Sequence, residues 1–257
     1  MALIDDPFLF AAPLAAGLLV LATHLPLGVQ VLRRGIVFID LAIAQFAALG
    51  ALVAGHHAGP VAAVATGIGF ALAAAALVAW LGARWPQQRE ALIGLVYVGG
   101  AAASVLWVSV DPHGAQALAR TLAGDILWVD WRGMTPLAAA SLPVAVLAWR
   151  RPGLLDDARI FYPCFAVLVS LSVPLLGLYL VFATLIVPAL AMRAGGSAMA
   201  GLAVGVLGFV GGFVASALTD LPSGPVVVLA LVASALAGHL LRRALHWCRD
   251  DQHPTTP

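Results

Sequence analysis

IFYPCFAVLVSLSVPLLGLYLVFATLIVPALAM (Ile160–Met192) is an apolar stretch of 33 residues, and the way it divides decides the fold. A helix that crosses the ~30 Å hydrocarbon core of a bilayer takes about 20 apolar residues. Its backbone groups meet no water there and must satisfy one another. Thirty-three residues are too many for one crossing and too few for two, which need about 40 at 1.5 Å each. Pro174, Gly177 and Pro188 interrupt the stretch where a helix would otherwise continue. The expectation is a full helix followed by a broken or partial one between Pro174 and Pro188. Broken helices at membrane depth are tolerated where they are buried in protein or line a cavity, which points to transport.

The rest of the chain shares this character. Of its 257 residues 62% are apolar and 10% charged, with a mean hydropathy of +1.01, whereas soluble domains carry roughly 45–50% and 25%. This composition excludes a DNA-binding module, a disordered regulator and nearly every soluble enzyme. Thirteen arginines and no lysine stand against eleven aspartates and one glutamate, too even a balance to call for a nucleic acid partner. Cys164 and Cys248 are too few for a disulfide framework. Further spans fall near 8–31, 36–54, 60–82, 91–110, 134–149, 198–218 and 224–241, rich in the Ala and Gly that let helices pack closely in lipid. The first span follows Asp5 and Asp6 and has no clear cleavage site, so it reads as a retained helix. The fold class is an all-α polytopic membrane protein with about 8–9 transmembrane helices. It forms a single domain over residues 1–257, with a disordered tail from 250 onward.

Arginine placement sets the orientation, because cytoplasmic loops are enriched in basic residues. With the N-terminus outside and Ile160–Met192 crossing twice, eleven arginines face the cytoplasm and only Arg120 and Arg132 face outward. A single crossing leaves seven against six. Residues 111–133 read as a short amphipathic helix on the outer surface, with Leu118, Leu122, Ile126 and Leu127 at helical spacing. Trp128 and Trp131 suit the interface.

Ionisable residues inside spans are costly and by default mark a pathway or a partner. Asp40 is the sharpest, six residues past Arg34 and so about 9 Å into the hydrocarbon. It reads either as a carboxylate that snorkels or pairs with arginine, or as a hard oxygen ligand for a divalent cation in transit. Gln45 follows five residues on, roughly 140° around a regular helix, and a π-bulge between the two would bring them together. His24 is either an imidazole on the path or a histidine bonded between helices. His239 reads as interfacial, near the inner end of the last span. His56 and His57 form an outer loop or a weak collection point for metal. His246, Cys248 and His253 read as a cytosolic tail. The chain has no GxxxxGK[ST] loop and so no ATPase of its own, and it carries no HExxH, GxSxG or CxxC. Catalysis is not expected.

Five segments resemble the membrane permease subunits of bacterial zinc and manganese ABC importers. They are LRRGIVFIDLAIAQFAALG (Leu32–Gly50), ALIGLVYVGGAAASVLWVS (Ala91–Ser109), AGDIL (Ala123–Leu127, with Gly124 and Asp125), GLYLVFATLIVPALAMR (Gly177–Arg193, with Pro188) and DLPSGPVVVL (Asp220–Leu229, with Pro222, Gly224 and Pro225). The resemblance implies a homodimer around a central path in the bacterial inner membrane. It implies a cytoplasmic ATP-binding-cassette ATPase that binds ATP, and a periplasmic metal-binding protein that delivers zinc or manganese as cargo. No permanently bound cofactor is implied. Asp40 matches the family's metal-path Asp. Gln45 stands where the family has His, and the Asp40–Gly50 interval is one residue longer than usual, a second motive for the π-bulge. An amide oxygen is a poorer zinc ligand than imidazole. The cytoplasmic segment RRPGLLDDARIFYP (Arg150–Pro163) is about ten residues shorter than the family pattern, a length set against the shortage of helix above. Asp156, Asp157 and Arg159 in that remnant are the candidates for contact with the ATPase. Two other readings stay open: a self-sufficient secondary transporter, and a membrane scaffold or sensor that does not transport.

Overall fold

The computed structural model describes residues 10–54, 59–111, 114–124, 126–195 and 197–250, and every regular element among them is helical. The helices are α1 (Ala11–Arg34), α2 (Ile39–Ala54), α3 (Gly59–Arg84), α4 (Arg89–Val108), α5 (Gly114–Ala123), α6 (Thr135–Arg150), α7 (Ala158–Leu176), α8 (Leu178–Gly195), α9 (Ala198–Thr219) and α10 (Ser223–Asp250). Six of them, α1, α3, α4, α7, α9 and α10, are long and apolar enough to cross a membrane, while α2 and α8 are shorter apolar helices. The core runs through α1, α2, α7 and α8, where Leu21, Leu25, Ile43, Phe161, Phe165 and Leu185 are almost fully buried.

The stretch Ile160–Met192 divides once, at Gly177, whose φ of 89° and ψ of 152° lie in a region essentially reserved for glycine. The expected break at Pro174 and Pro188 is not seen, because both prolines lie inside helices. A proline forfeits a single backbone bond to the carbonyl four residues back, and packing on both sides outweighs that loss. Pro174 falls in the last turn of α7, and α8 continues past Pro188 to Gly195. The result is two helices of 19 and 18 residues, of which α7 is long and apolar enough to cross a membrane and α8 is the shorter one.

The shortage of length is resolved by depth. Ser172 Oγ lies 3.4 Å from His24 Nε2, which sets α7 level with α1 at that point. From there α1 runs about 20 Å outward and α7 only ~6 Å, so the turn at Gly177 falls short of the outer end of α1. The chain between α4 and α6 fills the space. Helix α5 packs on α2, α4, α7 and α8. Gly124 behind it (φ 53°) lies so close to Gly177 that a Cβ there would overlap the Gly177 backbone nitrogen. Ile126 is fully buried, and its 3₁₀ turn (Ile126–Trp128) touches α1 and α10. The expected amphipathic helix is therefore present. It keeps an exposed face at Ala115, Gln116 and Ala119, and the 3₁₀ turn after it is the part that enters the bundle, where Gly124 and Gly177 leave room.

Two further contacts fix the frame. Pro26 inside α1 leaves the carbonyl of Ala22 without its helical donor, and the Trp149 indole N–H donates to that oxygen at 2.9 Å. Asp220 closes the α9–α10 hairpin in the left-handed region (φ 54°, ψ 27°), which Asp tolerates better than most residues. Ser216 Oγ donates to the Leu221 carbonyl at 2.7 Å in the same turn. Asp220, Pro222, Gly224 and Pro225 thus serve a turn.

Candidate functional site

Helix α1 ends on the left-handed Gly35, whose N–H bonds the Val31 carbonyl. The Ile36 N–H bonds the same oxygen at 3.2 Å. This tight C-terminal cap reverses the chain within a few residues and starts α2 at Ile39. Asp40 therefore sits in the first turn of α2 with its side chain fully buried. The free N–H groups of a helix N-terminus favour a negative charge there. Among the described residues neither carboxylate oxygen has a hydrogen-bond partner. A buried carboxylate without partners is costly and calls for a function. Beside this turn the Phe38 ring stacks on Phe182 of α8, with centroids 6.3 Å apart and planes 4° from parallel.

Gln45 is nearly buried on the same helix, but α2 is a regular α-helix from Ile39 to Ala54 with no π-bulge. Five residues of regular helix carry Gln45 about 7.5 Å further out and ~140° round, so the two side chains do not share a face. Its Cβ lies by Gly100 of α4. His24 is fully buried between α1 and α7. Its Nδ1 lies 3.1 Å from the Val20 carbonyl and 3.1 Å from Thr23 Oγ1. Its Nε2 faces Ser172 Oγ at 3.4 Å. Ser172 Oγ has its shortest contact, 2.7 Å, with the Leu168 carbonyl. His24 is held by these local bonds and is not brought to Asp40 by any of them. Among the described residues no group of three or more His, Cys, Asp or Glu side chains converges as a metal cage. His56, His57 and Asp125 lie outside the described residues.

The C-terminal end of α1 carries a node whose arginines sequence reasoning used for orientation and whose Asp156, Asp157 and Arg159 it offered for contact with an ATPase. The Arg34 guanidinium donates to the carbonyls of Leu155 (3.1 Å) and Asp156 (2.8 Å) and lies 4.6 Å from the centre of the Phe161 ring, a favourable place for a cation. Arg89 of α4 donates to the Arg34 carbonyl at 2.8 Å. Glu90 Oε1 accepts the Val37 N–H at 2.6 Å, between Arg34 and Asp40. Gln30 donates to Asp156 Oδ1 at 2.6 Å, while Arg33 pairs loosely with the same oxygen at 3.7 Å, largely in the open. Asp157 caps α7 by accepting the Arg159 N–H at 2.8 Å, and Arg159 itself is exposed. The 3₁₀ segment Pro152–Asp156, with Leu155 buried and Gly153 and Asp156 exposed, is thus fastened to the end of α1, two turns of chain before Asp40. Only the double arginine of the sequence signals this; the carbonyl acceptors belong to the fold. A cleft of about 400 Å³ opens beside it, lined by Pro26, Val29, Gln30, Arg33, Trp149 and Asp156 among others, and Asp40 is not in its wall.

The profile of the ABC 3 transport family matches residues 5–151. The chain belongs to the ABC 3 transport family. No curated protein matches it. Among solved structures, PsaBC from Streptococcus pneumoniae in complex with Fab superposes with a TM-score of 0.69 at 17% identity, over 91% of this chain and 92% of that one. An inward-facing conformation of a metal-chelate type ABC transporter superposes at 0.55 and 19% identity, over 91% and 85%. At these identities the likeness is one of fold. It extends beyond Arg151, where the ABC 3 family match ends.

Proposed function

We propose that this multi-pass membrane protein is the inner-membrane permease subunit of an importer for a divalent transition metal, working as a homodimer with a cytoplasmic ATPase and a periplasmic metal-binding protein. The observation that carries the proposal is Asp40: a carboxylate in the membrane, at a helix N-terminus, with both oxygens buried and unpartnered. Such a group is a ligand waiting for a cation. With no cage of three ligands among the described residues of one protomer, Asp40 suits brief contact in transit better than storage, and two copies would bring two carboxylates to the path. Gln45, on another face of α2 beside Gly100, is not placed to share the ion with Asp40 in one protomer. Oxygen donors without imidazole favour manganese over zinc, so manganese is the first cargo to test.

Energy would enter from the cytoplasmic side. The segment Pro152–Asp156 with Asp157 and Arg159 is the exposed surface for an ATPase, and Arg34 ties it to the turn that leads into Asp40. The ion would leave when that turn moves and the ligand set loosens, which lowers affinity without chemistry on the metal.

The test is reconstitution of the chain in liposomes with and without its partner ATPase. Manganese uptake that requires both the ATPase and ATP is expected. Uptake by the chain alone, driven by a proton or sodium gradient, would make it a secondary transporter instead.

A further inference from the structure

A shallow groove of about 240 Å³ runs between α8 and α10 near their inner ends. Its walls are Val187, Leu190 and Ala191 on one side and Val232, Ala235 and Leu236 on the other. Leu190 and Leu236 are half exposed at its rims. The inner end is closed by His239 and Arg242. From the outer start of α10 at Ser223 to Arg242 is about 28 Å of helix, close to one hydrocarbon thickness. The guanidinium therefore lies at the depth of the inner-leaflet phosphates. No acidic side chain lines the groove, and no hydrogen bond or ion pair engages Arg242 among the described residues.

We propose that this groove binds an anionic phospholipid of the inner leaflet, with an acyl chain along the apolar walls and the phosphate on Arg242 and the imidazole N–H of His239. The small side chains of Ala191 and Ala235 open a channel one chain wide. Basic residues at the cytoplasmic end of an intramembrane groove complement a phosphodiester, and Arg matches phosphate with a planar fork of donors. A second copy of the chain is a poorer occupant. A two-fold axis along the membrane normal keeps depth, so it would set each protomer's Arg242 and His239 at one level against those of its partner, with no acid between them.

The full chain in nanodiscs of phosphatidylglycerol and phosphatidylcholine in equal parts, analysed by mass spectrometry after gentle release, tests this. Wild-type protein is expected to retain phosphatidylglycerol in preference to phosphatidylcholine. Arg242→Ala should lower that preference about fivefold, the contribution of one cation near the surface, and Arg242→Lys should keep most of it. His239→Ala should lower it less. Wild-type protein that retains neither lipid selectively, or an Arg242→Ala variant with unchanged preference and unchanged thermal melting, would overturn the proposal. So would efficient disulfide cross-linking between copies through Leu236→Cys in native membranes, since a partner subunit would then fill the groove.

Discussion

Asp40, Trp149 and Arg34 carry the account at the scale of single residues. Trp149 replaces the donor that Pro26 removes from the Ala22 carbonyl, so Trp149→Phe should destabilise the protein by about 1 kcal/mol, the net worth of one hydrogen bond. Thermal melting in detergent reads this, and a Pro26→Ala background, which restores the helical donor, should erase most of the loss. Arg34 and Arg33 are neighbours in sequence with different work. Arg34 binds two carbonyls and lies on Phe161, while Arg33 makes only an exposed pair at 3.7 Å of the kind worth roughly 0–1 kcal/mol. In the assembled complex, Arg34→Ala should lower metal transported per ATP hydrolysed, and Arg33→Ala should leave that ratio near wild type. Equal effects would mean that the carbonyl clamp is unimportant. Asp40 is legible in the sequence as a candidate, since a carboxylate amid apolar residues stands out. The clamp is not, because its acceptors are backbone carbonyls 121 and 122 positions away in the chain.

At the scale of elements, the break in the apolar stretch was legible as a shortage of length, but its place was not. Three residues could have ended the helix, and only Gly177 does. A proline costs one backbone bond, while the dihedrals at Gly177 forbid a side chain outright. Gly177→Ala should therefore cost on the order of 1–3 kcal/mol from backbone strain, more given its contact with Gly124. Pro188→Ala should be close to neutral. Expression level and melting temperature of the two variants decide the matter, and the reverse order would contradict the assignment of the break. The amphipathic segment at 111–133 shows the same division. Periodicity gives the helix, but the insertion of Ile126 behind it depends on the pairing of Gly124 with Gly177, two glycines that no local pattern connects. The π-bulge expected between Asp40 and Gln45 arose from wanting two polar groups five residues apart on one face, and from a family spacing. The regular ladder of α2 leaves the two polar groups on different faces.

For the whole molecule, charge and hydropathy foretold an all-helical bundle, and every described regular element is helical. The ends of α1, α3 and α8 and the starts of α4 and α7 meet around Arg34, Arg89 and Arg193. What composition leaves silent is how these ends are tied: Pro152–Asp156 to α1, α1 through Gly35 to α2, and α2 to its buried carboxylate. This chain of ties is the physical basis for proposing that a cytoplasmic ATPase acts on Asp40. The most direct measurement is ATP-dependent uptake of radiolabelled manganese into liposomes holding the permease and its ATPase, comparing wild type with Asp40→Ala and Asp40→Asn. Both variants should assemble with the ATPase and hydrolyse ATP while uptake falls to background. Wild-type uptake by a well-assembled Asp40→Ala complex would contradict the account.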